Sequence, residues 1–264
     1  MIIDSYGISI DHRHVIPVVN SAGILLTGLP GTGKTAAGVL TSLNIMNKFD
    51  ALLEVCDTKR SDVLSLSNFM ISHSKERAAS SADQVCRLLR VANENLNNRY
   101  MNHHNHWGWN WYDYNLRPIV IFFDEVGATL SEAGKKRNEI ISNLKQLIYR
   151  SRQMGFFVIM SSQRLSANTL DRDLTLELST RMVLCANLDG DTLRMAFPGV
   201  NVDELSVVKN LPGHGLIYTD LLGTNTPQTM VIDDISNLDI PKLIEYLDIK
   251  ANQMEFTNEP YWKW

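Results

Sequence analysis

The fold of this chain is decided by the stretch Gly28-Leu29-Pro30-Gly31-Thr32-Gly33-Lys34-Thr35, which fits the pattern G-x-x-x-x-G-K-S/T without a mismatch. The apolar run Ile24–Thr27 comes directly before it and has the length of a short buried strand. The residues that follow, from Ala36 to Leu43, can open a helix. Strand, glycine-rich loop and helix in this order predict a phosphate-binding loop rather than a chance glycine-rich turn.

The residue types of the loop suit the binding of a triphosphate. Its glycines allow positive φ angles, so that backbone N–H groups can approach phosphate oxygens closely. The N-terminus of the following helix adds a favourable dipole for the same anion. Lys34 supplies a mobile positive charge to the β- and γ-phosphates of ATP, and the Thr35 hydroxyl can reach Mg²⁺. The predicted ATP contacts are Gly28, Leu29, Pro30, Gly31, Thr32, Gly33, Lys34, Thr35 and Ala36.

A second apolar run, Pro118–Phe123, stops at two carboxylates, Asp124 and Glu125. A continuous apolar run of this length is typical of a strand that is covered on both faces. In P-loop proteins such a strand places its terminal Asp beside the Mg²⁺ ion, and the following Glu polarises the attacking water. We therefore predict Asp124 and Thr35 as metal ligands and Glu125 as the general base.

Further apolar runs predict additional strands of the same sheet. Phe156–Ser162 ends just before Gln163, and Arg181–Cys185 forms the next run. Because open α/β sheets bind their ligands at the carboxyl ends of the strands, we expect Gln163 to lie near the γ-phosphate. Buried strands that alternate with helices predict an α/β fold around a mostly parallel sheet.

Composition limits the class of protein. The chain has 264 residues, a net charge of -4 and three cysteines without C-x-x-C spacing. It contains no run of about 18 apolar residues and no signal peptide, so we expect no membrane span and a cytoplasmic protein with reduced thiols. We expect a single ATPase domain over residues 1–264, with three special segments: an N-terminal edge segment over 1–20, a His/Trp-rich insertion over 101–117, and a C-terminal helix with an aromatic tail over 236–264.

Two segments leave their role open. The patch His103–Tyr112 alternates aromatic and polar residues, which is strand-like, and we interpret it as an exposed loop or hairpin. Its histidines can hold a metal and its tryptophans can stack on bases, or the loop packs its own rings or touches a neighbouring subunit. The segment Gly127–Gly134 is expected to be a flexible connection, followed by the basic cluster Lys135–Arg137.

The order of the motifs resembles the motor domain of the FtsK/SpoIIIE family, within the HerA–FtsK group of DNA-pumping ATPases. The resemblance covers about residues 20–235. Within this family, the sequence most resembles the proteins of Gram-positive conjugative elements and plasmids, which act as coupling or transfer ATPases. The segments that carry it are Gly28–Thr35, Asp57–Lys59, Asn98–Tyr100, Phe123–Glu125, Ala133–Lys136, Arg150–Gly155, Ser162–Arg164, Ser179–Arg181 and Leu211–Gly215.

The resemblance implies a RecA-like P-loop fold with helices on both faces of a mostly parallel sheet. It also implies a homo-oligomeric ring, typically a hexamer, around DNA of unresolved strandedness, with ATP hydrolysed at the subunit interfaces. By the family pattern Gln163 matches the sensor position, and an arginine supplied across the interface stabilises transition-state charge. Arg152 is the first choice for that arginine and Arg181 the second. Lys135 and Lys136 match a region near the pore and are candidates for phosphate contacts to DNA.

Some features depart from the family pattern. Leu165 stands where proline usually follows the Gln-Arg pair. The membrane-anchored members carry a transmembrane domain and a linker, which we do not expect in this sequence. Two alternatives to a DNA translocase therefore stay open: a P-loop assembly or secretion ATPase that moves protein, and a nucleotide-gated scaffold without useful turnover. The intact Asp124–Glu125 pair argues against the scaffold, since a scaffold needs no general base.

Overall fold

The computed structural model describes residues 6–165, 170, 172–184, 188–219 and 226–264. Over this part of the chain the structure is an α/β fold built on an eight-stranded sheet, with a separate two-stranded sheet near the N-terminus. The strands, in chain order, are β1 (Gly7–Ser9), β2 (Val15–Pro17), β3 (Gly23–Gly28), β4 (Leu52–Cys56), β5 (Ala78–Ala79), β6 (Ile119–Phe123), β7 (Phe156–Ser162), β8 (Thr180–Leu184), β9 (His214–Thr219) and β10 (Gln228–Val231).

The main sheet has the strand order β10-β9-β8-β3-β7-β6-β4-β5. Neighbouring strands from β8 to β5 run parallel, and β9 and β10 add an antiparallel edge. Every residue of β3, β4, β6 and β7 is buried, because helices cover these central strands on both sides. The predicted mostly parallel sheet is confirmed.

Most helices of the described chain connect parallel strands, and the last two follow β8 and β10. The helices are α1 (Lys34–Phe49), α2 (Asp62–Ser65), α3 (Ala82–Asn102), α4 (Val126–Glu132), α5 (Arg137–Met154), α6 (Arg172–Glu177), α7 (Gly190–Ala196) and α8 (Ile240–Gln253). The chain crosses from β3 to β4 in one direction and returns through β6 to β7 in the other. Since such crossovers are right-handed, α1 lies on one face of the sheet, and α3 and α5 lie on the other.

Two glycine positions show how closely these layers approach. A Cβ atom on Gly38 of α1 would lie 2.2 Å from the Phe122 ring of β6. Gly155 ends α5 in the left-handed conformation with φ 80°, and a Cβ there would lie 3.0 Å from Trp111. Any larger residue at these positions would push a helix or a loop away from the sheet.

The described part of the N-terminal edge segment forms a small sheet of its own. β1 pairs with β2 in the separate hairpin rather than with the main sheet. Asp11 closes that hairpin, because its carboxylate accepts hydrogen bonds from the backbone N–H groups of Arg13 (2.7 Å) and His14 (2.6 Å). The hydrogen bonds of the turn are thus made within the hairpin, and β1 pairs with β2.

The expected flexible connection over Gly127–Gly134 is wrong. Residues 126–132 form α4, whose Val126 and Leu130 are buried. The first turn of α4 is closed by the Glu125 carbonyl, which accepts from the N–H groups of Ala128 and Thr129. A helix can form here because buried apolar contacts outweigh the weak helix propensity of Gly127, which lies in its first turn.

The patch His103–Tyr112 forms turns without strand structure. His106 stacks on Trp109 at a centroid distance of 4.1 Å, and most other ring contacts of the patch reach rings outside it, such as Tyr114. Trp111 is buried against Phe49 at the end of α1, whereas Trp107 is fully exposed. The alternation of aromatic and polar residues therefore belongs to a loop that packs mostly on neighbouring rings, not to a pleated strand.

The structure also bears on the expectations about the cysteines and about membrane spans. Cys56 and Cys86 are buried free thiols, and Cys185 lies outside the described residues. Burial raises the pKa of both thiols, so they stay protonated at neutral pH. Among the helices of the described chain, none combines the length and the apolar character that crossing a bilayer requires.

Candidate nucleotide-binding site

The phosphate loop lies between β3 and α1, as the motif predicts. Gly33 caps α1 in the left-handed conformation with φ 96°, and Gly31 has φ 77°. A Cβ on Gly28 would lie 2.6 Å from the Leu184 carbonyl oxygen of the neighbouring strand β8. The loop therefore needs glycine for its backbone angles and for its close contact with the sheet. The N–H groups that open α1 have no partners within the helix and suit an anion.

Lys34 is 8% exposed and lies over the loop. Its ammonium donates hydrogen bonds to the carbonyl oxygens of Gly28 (2.6 Å) and Leu29 (3.1 Å). Burial lowers the pKa of Lys34, and the negative charges of Glu125 and Asp124 act in the opposite direction. The lysine is thus held between the loop and the acidic pair, where it can serve a bound polyphosphate.

Asp124 and Glu125 follow β6 directly, and each is 8% exposed. The Asp124 Oδ1 atom accepts a hydrogen bond from the Ser161 hydroxyl at 2.5 Å. Burial raises the pKa of the Asp124 carboxyl, and the hydrogen bond from Ser161 opposes that shift. Glu125 adopts φ 48°, so the chain turns sharply at this residue as it leaves β6 and enters α4.

Three groups from neighbouring strands fix Glu125. Its backbone N–H donates to the Ser161 hydroxyl at 3.0 Å, and its Oε1 atom accepts from the Gln163 N–H at 3.1 Å. The Lys59 ammonium lies 3.8 Å from Oε2. Sequence reasoning missed Ser161 and Lys59 as site residues. Their positions could have indicated a role: Ser161 lies at the end of β7, and Lys59 follows β4. Both strands flank β6, and polar groups converge at the carboxyl ends of such strands.

These elements enclose one cavity of about 400 Å³. The cavity brings together most of the predicted nucleotide contacts, the acidic pair and the sensor residue: it is lined by Pro30, Gly31, Gly33, Lys34, Thr35, Ala36, Lys59, Asp124, Glu125 and Gln163. Gly28, Leu29 and Thr32 belong to the loop behind this lining. The Thr32 hydroxyl donates to the Leu29 carbonyl, and the Thr32 carbonyl accepts from the Gly213 N–H at 3.0 Å.

The two arginines considered for a cross-interface role lie in very different surroundings. Arg152 is exposed in the last turn of α5, which ends at the amino edge of the sheet, away from the cavity. Arg181 is only 4% exposed, its guanidinium lies 5.1 Å from the centroid of the Tyr218 ring, and its Nε atom donates to the Leu178 carbonyl. This burial speaks against Arg181 as a residue that reaches a neighbouring subunit.

The basic turn before α5 also contains two different environments. Lys135 is exposed, whereas the Lys136 ammonium lies 3.4 Å from Asp83 and 3.5 Å from Glu139. Hydrogen bonding to Asp83 raises the pKa of Lys136, which therefore stays charged but is already paired. Of the two, Lys135 has the charge that a phosphate could use without displacing a carboxylate.

Comparison with known proteins agrees with this geometry. A family model described as the ATPase family associated with various cellular activities (AAA) matches residues 24–185, from β3 to just beyond β8. The chain belongs to this AAA ATPase family. Its match begins at the strand that precedes the phosphate loop and includes the acidic pair and Gln163. The expected P-loop ATPase fold is thereby confirmed.

One curated relative supports the narrower resemblance to the FtsK type. The FtsK domain-containing protein YdcQ of Bacillus subtilis (strain 168) is 28% identical over 166 residues, which are 61% of this chain and 34% of YdcQ. The chain thus spans about a third of the length of that relative. Its name carries the family that the motifs indicate, and the resemblance to FtsK/SpoIIIE-type ATPases is confirmed.

Solved structures share the fold at low sequence identity. The pCW3 conjugation coupling protein TcpA, solved as a monomer with ATPγS, is 16% identical with a TM-score of 0.72, over 91% of this chain and 69% of TcpA. The cytoplasmic domain of the Thermomonospora curvata type VII secretion ATPase EccC is 15% identical with a TM-score of 0.62, over 97% of this chain and 32% of EccC. At such identities the likeness concerns the fold.

Proposed function

We propose that this AAA ATPase is a cytoplasmic DNA translocase or DNA-transfer coupling motor that works as a ring and acts on single-stranded or double-stranded DNA. The observation that carries the ATPase part is the single cavity that joins Lys34, Asp124 and Glu125. The resemblance to FtsK-type proteins and the fold shared with a conjugation coupling protein support DNA as the moved substrate. The ring, its hexameric size and hydrolysis at subunit interfaces rest on that resemblance.

The residues of the cavity suit Mg²⁺-ATP. The Thr35 hydroxyl and the Asp124 carboxylate are hard oxygen donors from two residues that line this cavity, and Mg²⁺ prefers such ligands together with phosphate oxygens. When bound, the ion would neutralise charge on the phosphates. Glu125 takes a proton from the attacking water, Lys34 balances charge on the phosphates, and the amide of Gln163 lies where it can orient the water or the γ-phosphate.

A ring would complete the site with an arginine from a neighbouring subunit. Arg152 is exposed and makes no hydrogen bond or ion pair with the described residues, so its guanidinium is free to do this. Mixing Arg152→Ala subunits with Lys34→Ala subunits should restore part of the ATPase activity, because some interfaces then contain both intact groups. An intact ring with no restored activity at any mixing ratio would count against Arg152.

The experiment that tests the function is ATP turnover with and without DNA. Single-stranded and double-stranded DNA are each added at two salt concentrations, because phosphate contacts weaken as salt rises. We expect at least one form of DNA to stimulate turnover, more strongly at low salt. Turnover that no DNA changes, with DNA binding also absent, would contradict the translocase.

A motor that moves protein is the second candidate. The fold likeness to a secretion ATPase, EccC, is the observation that favours it. In that case DNA would leave the ATPase rate unchanged, while a protein substrate would raise it. The same turnover assay therefore separates the two candidates.

A further inference from the structure

Beside the nucleotide cavity lies a second cavity, which we call the serine groove. It has a volume of about 600 Å³ and is lined by Arg60, Lys75, Asn68, Gln84 and five serines between residues 61 and 80. Arg60 and Ser61 follow the carboxyl end of β4, and Gln84 follows that of β5, so this part of the groove lies on the same edge of the sheet as the phosphate loop. Ser74 and Lys75 precede β5 and form the far end of the groove. Leu64 and Ala78 complete the lining, and no carboxylate belongs to it.

The two positively charged side chains of the serine groove have no ion-pair partners in the described chain. Within the described chain the guanidinium of Arg60 and the ammonium of Lys75 form neither ion pairs nor side-chain hydrogen bonds, and both residues are exposed. This distinguishes them from Lys59, which faces Glu125, and from Lys136, which faces Asp83. The nearby Asp57 carboxylate is fully buried and accepts from the Ser61 hydroxyl at 2.8 Å. The two exposed, unpaired cations therefore give the accessible lining an excess of positive charge.

The chemistry of this lining matches one class of partner. Contacts to phosphate and sugar of a nucleic acid come mainly from Arg, Lys, Ser, Asn and Gln side chains, which are the polar residue types found here. Aromatic side chains, on which bases would stack, are missing from the lining. We propose that the serine groove binds the phosphate backbone of the DNA that this motor moves, without reading its sequence. This inference rests on the proposed function and names the DNA-contacting surface within it.

The position of the groove links it to ATP. Lys59 lines the nucleotide cavity and the next residue, Arg60, lines the groove. Arg60 adopts φ 57°, a conformation that a residue other than glycine holds only when its surroundings maintain it. On the other side, Gln84 follows Asp83, which pairs with Lys136 in the basic turn. The groove therefore lies between the nucleotide cavity and the Lys135–Lys136 turn, along one edge of the sheet.

The test measures DNA affinity against salt. A labelled duplex is titrated with the wild-type protein and with the Arg60→Ala/Lys75→Ala variant over a series of salt concentrations. Each lost phosphate contact should reduce the slope of log affinity against log salt by about 1, so we expect a change of up to about 2. The loss should be equal for duplexes of unrelated sequence. Basal ATP turnover should stay unchanged, while its stimulation by DNA should fall.

Matched controls separate a local contact from the effect of net charge. The Lys242→Ala/Lys263→Ala variant removes the same charge from two lysines that are already paired, with Asp239 and Glu94. It should keep the wild-type slope. An equal loss in this control, or an unchanged slope in the Arg60→Ala/Lys75→Ala variant, would overturn the groove as the DNA-binding surface.

Two further outcomes are informative. Poly-glutamate that displaces the duplex as well as unlabelled DNA does would also overturn the proposal, since the groove would then accept any polyanion. If the wild-type protein neither binds DNA nor responds to it, the proposed function itself is wrong. Wild-type binding that the groove variant leaves unaltered overturns only the groove.

Discussion

Buried charged residues at the two ends of the central sheet differ in their surroundings. At the carboxyl ends of the strands, Lys34, Asp124 and Glu125 are almost buried and yet line an open cavity. At the amino ends, Arg99 is fully buried and each of its three nitrogens donates a hydrogen bond. Glu259 accepts from Nε (2.8 Å) and Nη2 (2.7 Å), the Met154 carbonyl accepts from Nη1, and the Arg117 carbonyl accepts from Nη2.

The difference separates function from stability. A buried charge that the chain itself satisfies contributes to a unique fold, and removing its partner is costly. A buried charge that faces a cavity keeps its binding capacity for a ligand, which is typical of functional sites. Substitutions at the nucleotide end should therefore change activity more than stability, and substitutions at the opposite end should do the reverse.

The largest effect is expected for Lys34→Ala. It removes the ammonium that lies between the phosphate loop and the acidic pair. Since the loss of one preorganised donor costs on the order of 10²–10³-fold, we expect ATP binding and turnover to fall by at least that factor. Isothermal titration with ATP measures the affinity. Thermal unfolding serves as the control and should change little, because the site is not needed for packing.

Glu125→Gln should abolish chemistry while keeping the ligand. The amide retains the shape of the side chain but cannot take a proton from water, and general-base catalysis contributes on the order of 10²–10⁴-fold. We expect ATP to bind with near wild-type affinity and to be hydrolysed slower by that factor. Single-turnover kinetics measure this, and normal turnover would show that another residue is the base.

Glu259→Gln tests the opposite end of the sheet. It leaves the Arg99 guanidinium buried without its anion, which is expected to cost about 3 kcal/mol of unfolding free energy. Urea denaturation measures the loss, and ATP turnover per folded molecule should stay the same. As a control, Lys263→Ala breaks an exposed pair with Glu94 and should cost at most about 1 kcal/mol. If Glu259→Gln kept its stability but lost turnover, the two ends of the sheet would not differ in the way proposed here.

Glu54 should make the free energy of unfolding depend on pH. It is buried in β4, one of its carboxylate oxygens has no hydrogen-bond partner, and burial raises its pKa to about 7, although Arg77 and Arg87 oppose that shift. The folded protein therefore binds a proton that the unfolded chain releases near pH 4.5. Stability should fall as pH rises from the unfolded pKa to about 7 and then level off.

Glu54→Gln should remove that penalty. One pKa unit corresponds to ~1.4 kcal/mol, so the variant should be more stable than the wild type by on the order of 3 kcal/mol at pH 8. At pH 4.5 the two proteins should be equally stable, because Glu54 is then protonated in the folded wild type. Urea denaturation at both pH values measures the difference, and a gain that is the same at both would contradict this explanation.

The smallest effect on turnover is expected for Ser161→Ala. Its hydroxyl donates to Asp124 and accepts from the Glu125 N–H, so its loss lets both carboxylates shift. We expect kcat to fall about tenfold with little change in KM, because a small displacement of a catalytic group is costly. The pKa of Asp124 should rise further, which moves the acidic limb of the pH–rate profile upward.

Ser161→Thr separates this positioning role from a general packing defect. It restores a hydroxyl at the same place and should recover most of the turnover and the wild-type pH profile. If Ser161→Ala lowers stability but leaves both kcat and the pH profile unchanged, then Ser161 is a structural residue only.

Local sequence patterns were sufficient for much of the site. The phosphate loop and the strand that ends at Asp124 and Glu125 were both predicted, and each depends on residues close together in the chain. The flexible connection over Gly127–Gly134 was predicted wrongly, because burial of Val126 and Leu130 against distant strands produces α4. Glycine content alone carries no information on such contacts.

The sequence by itself determined the phosphate loop and the strand-terminal carboxylates, since glycine angles, apolar runs and strand ends are properties of short segments. Only the tertiary structure decided which polar groups from other segments meet them. Ser161 reaches Asp124 across 37 positions of sequence, and Arg99 reaches Glu259 across 160. Such pairs are set by the order of strands in the sheet and by the path of the C-terminal segment, which no local pattern records.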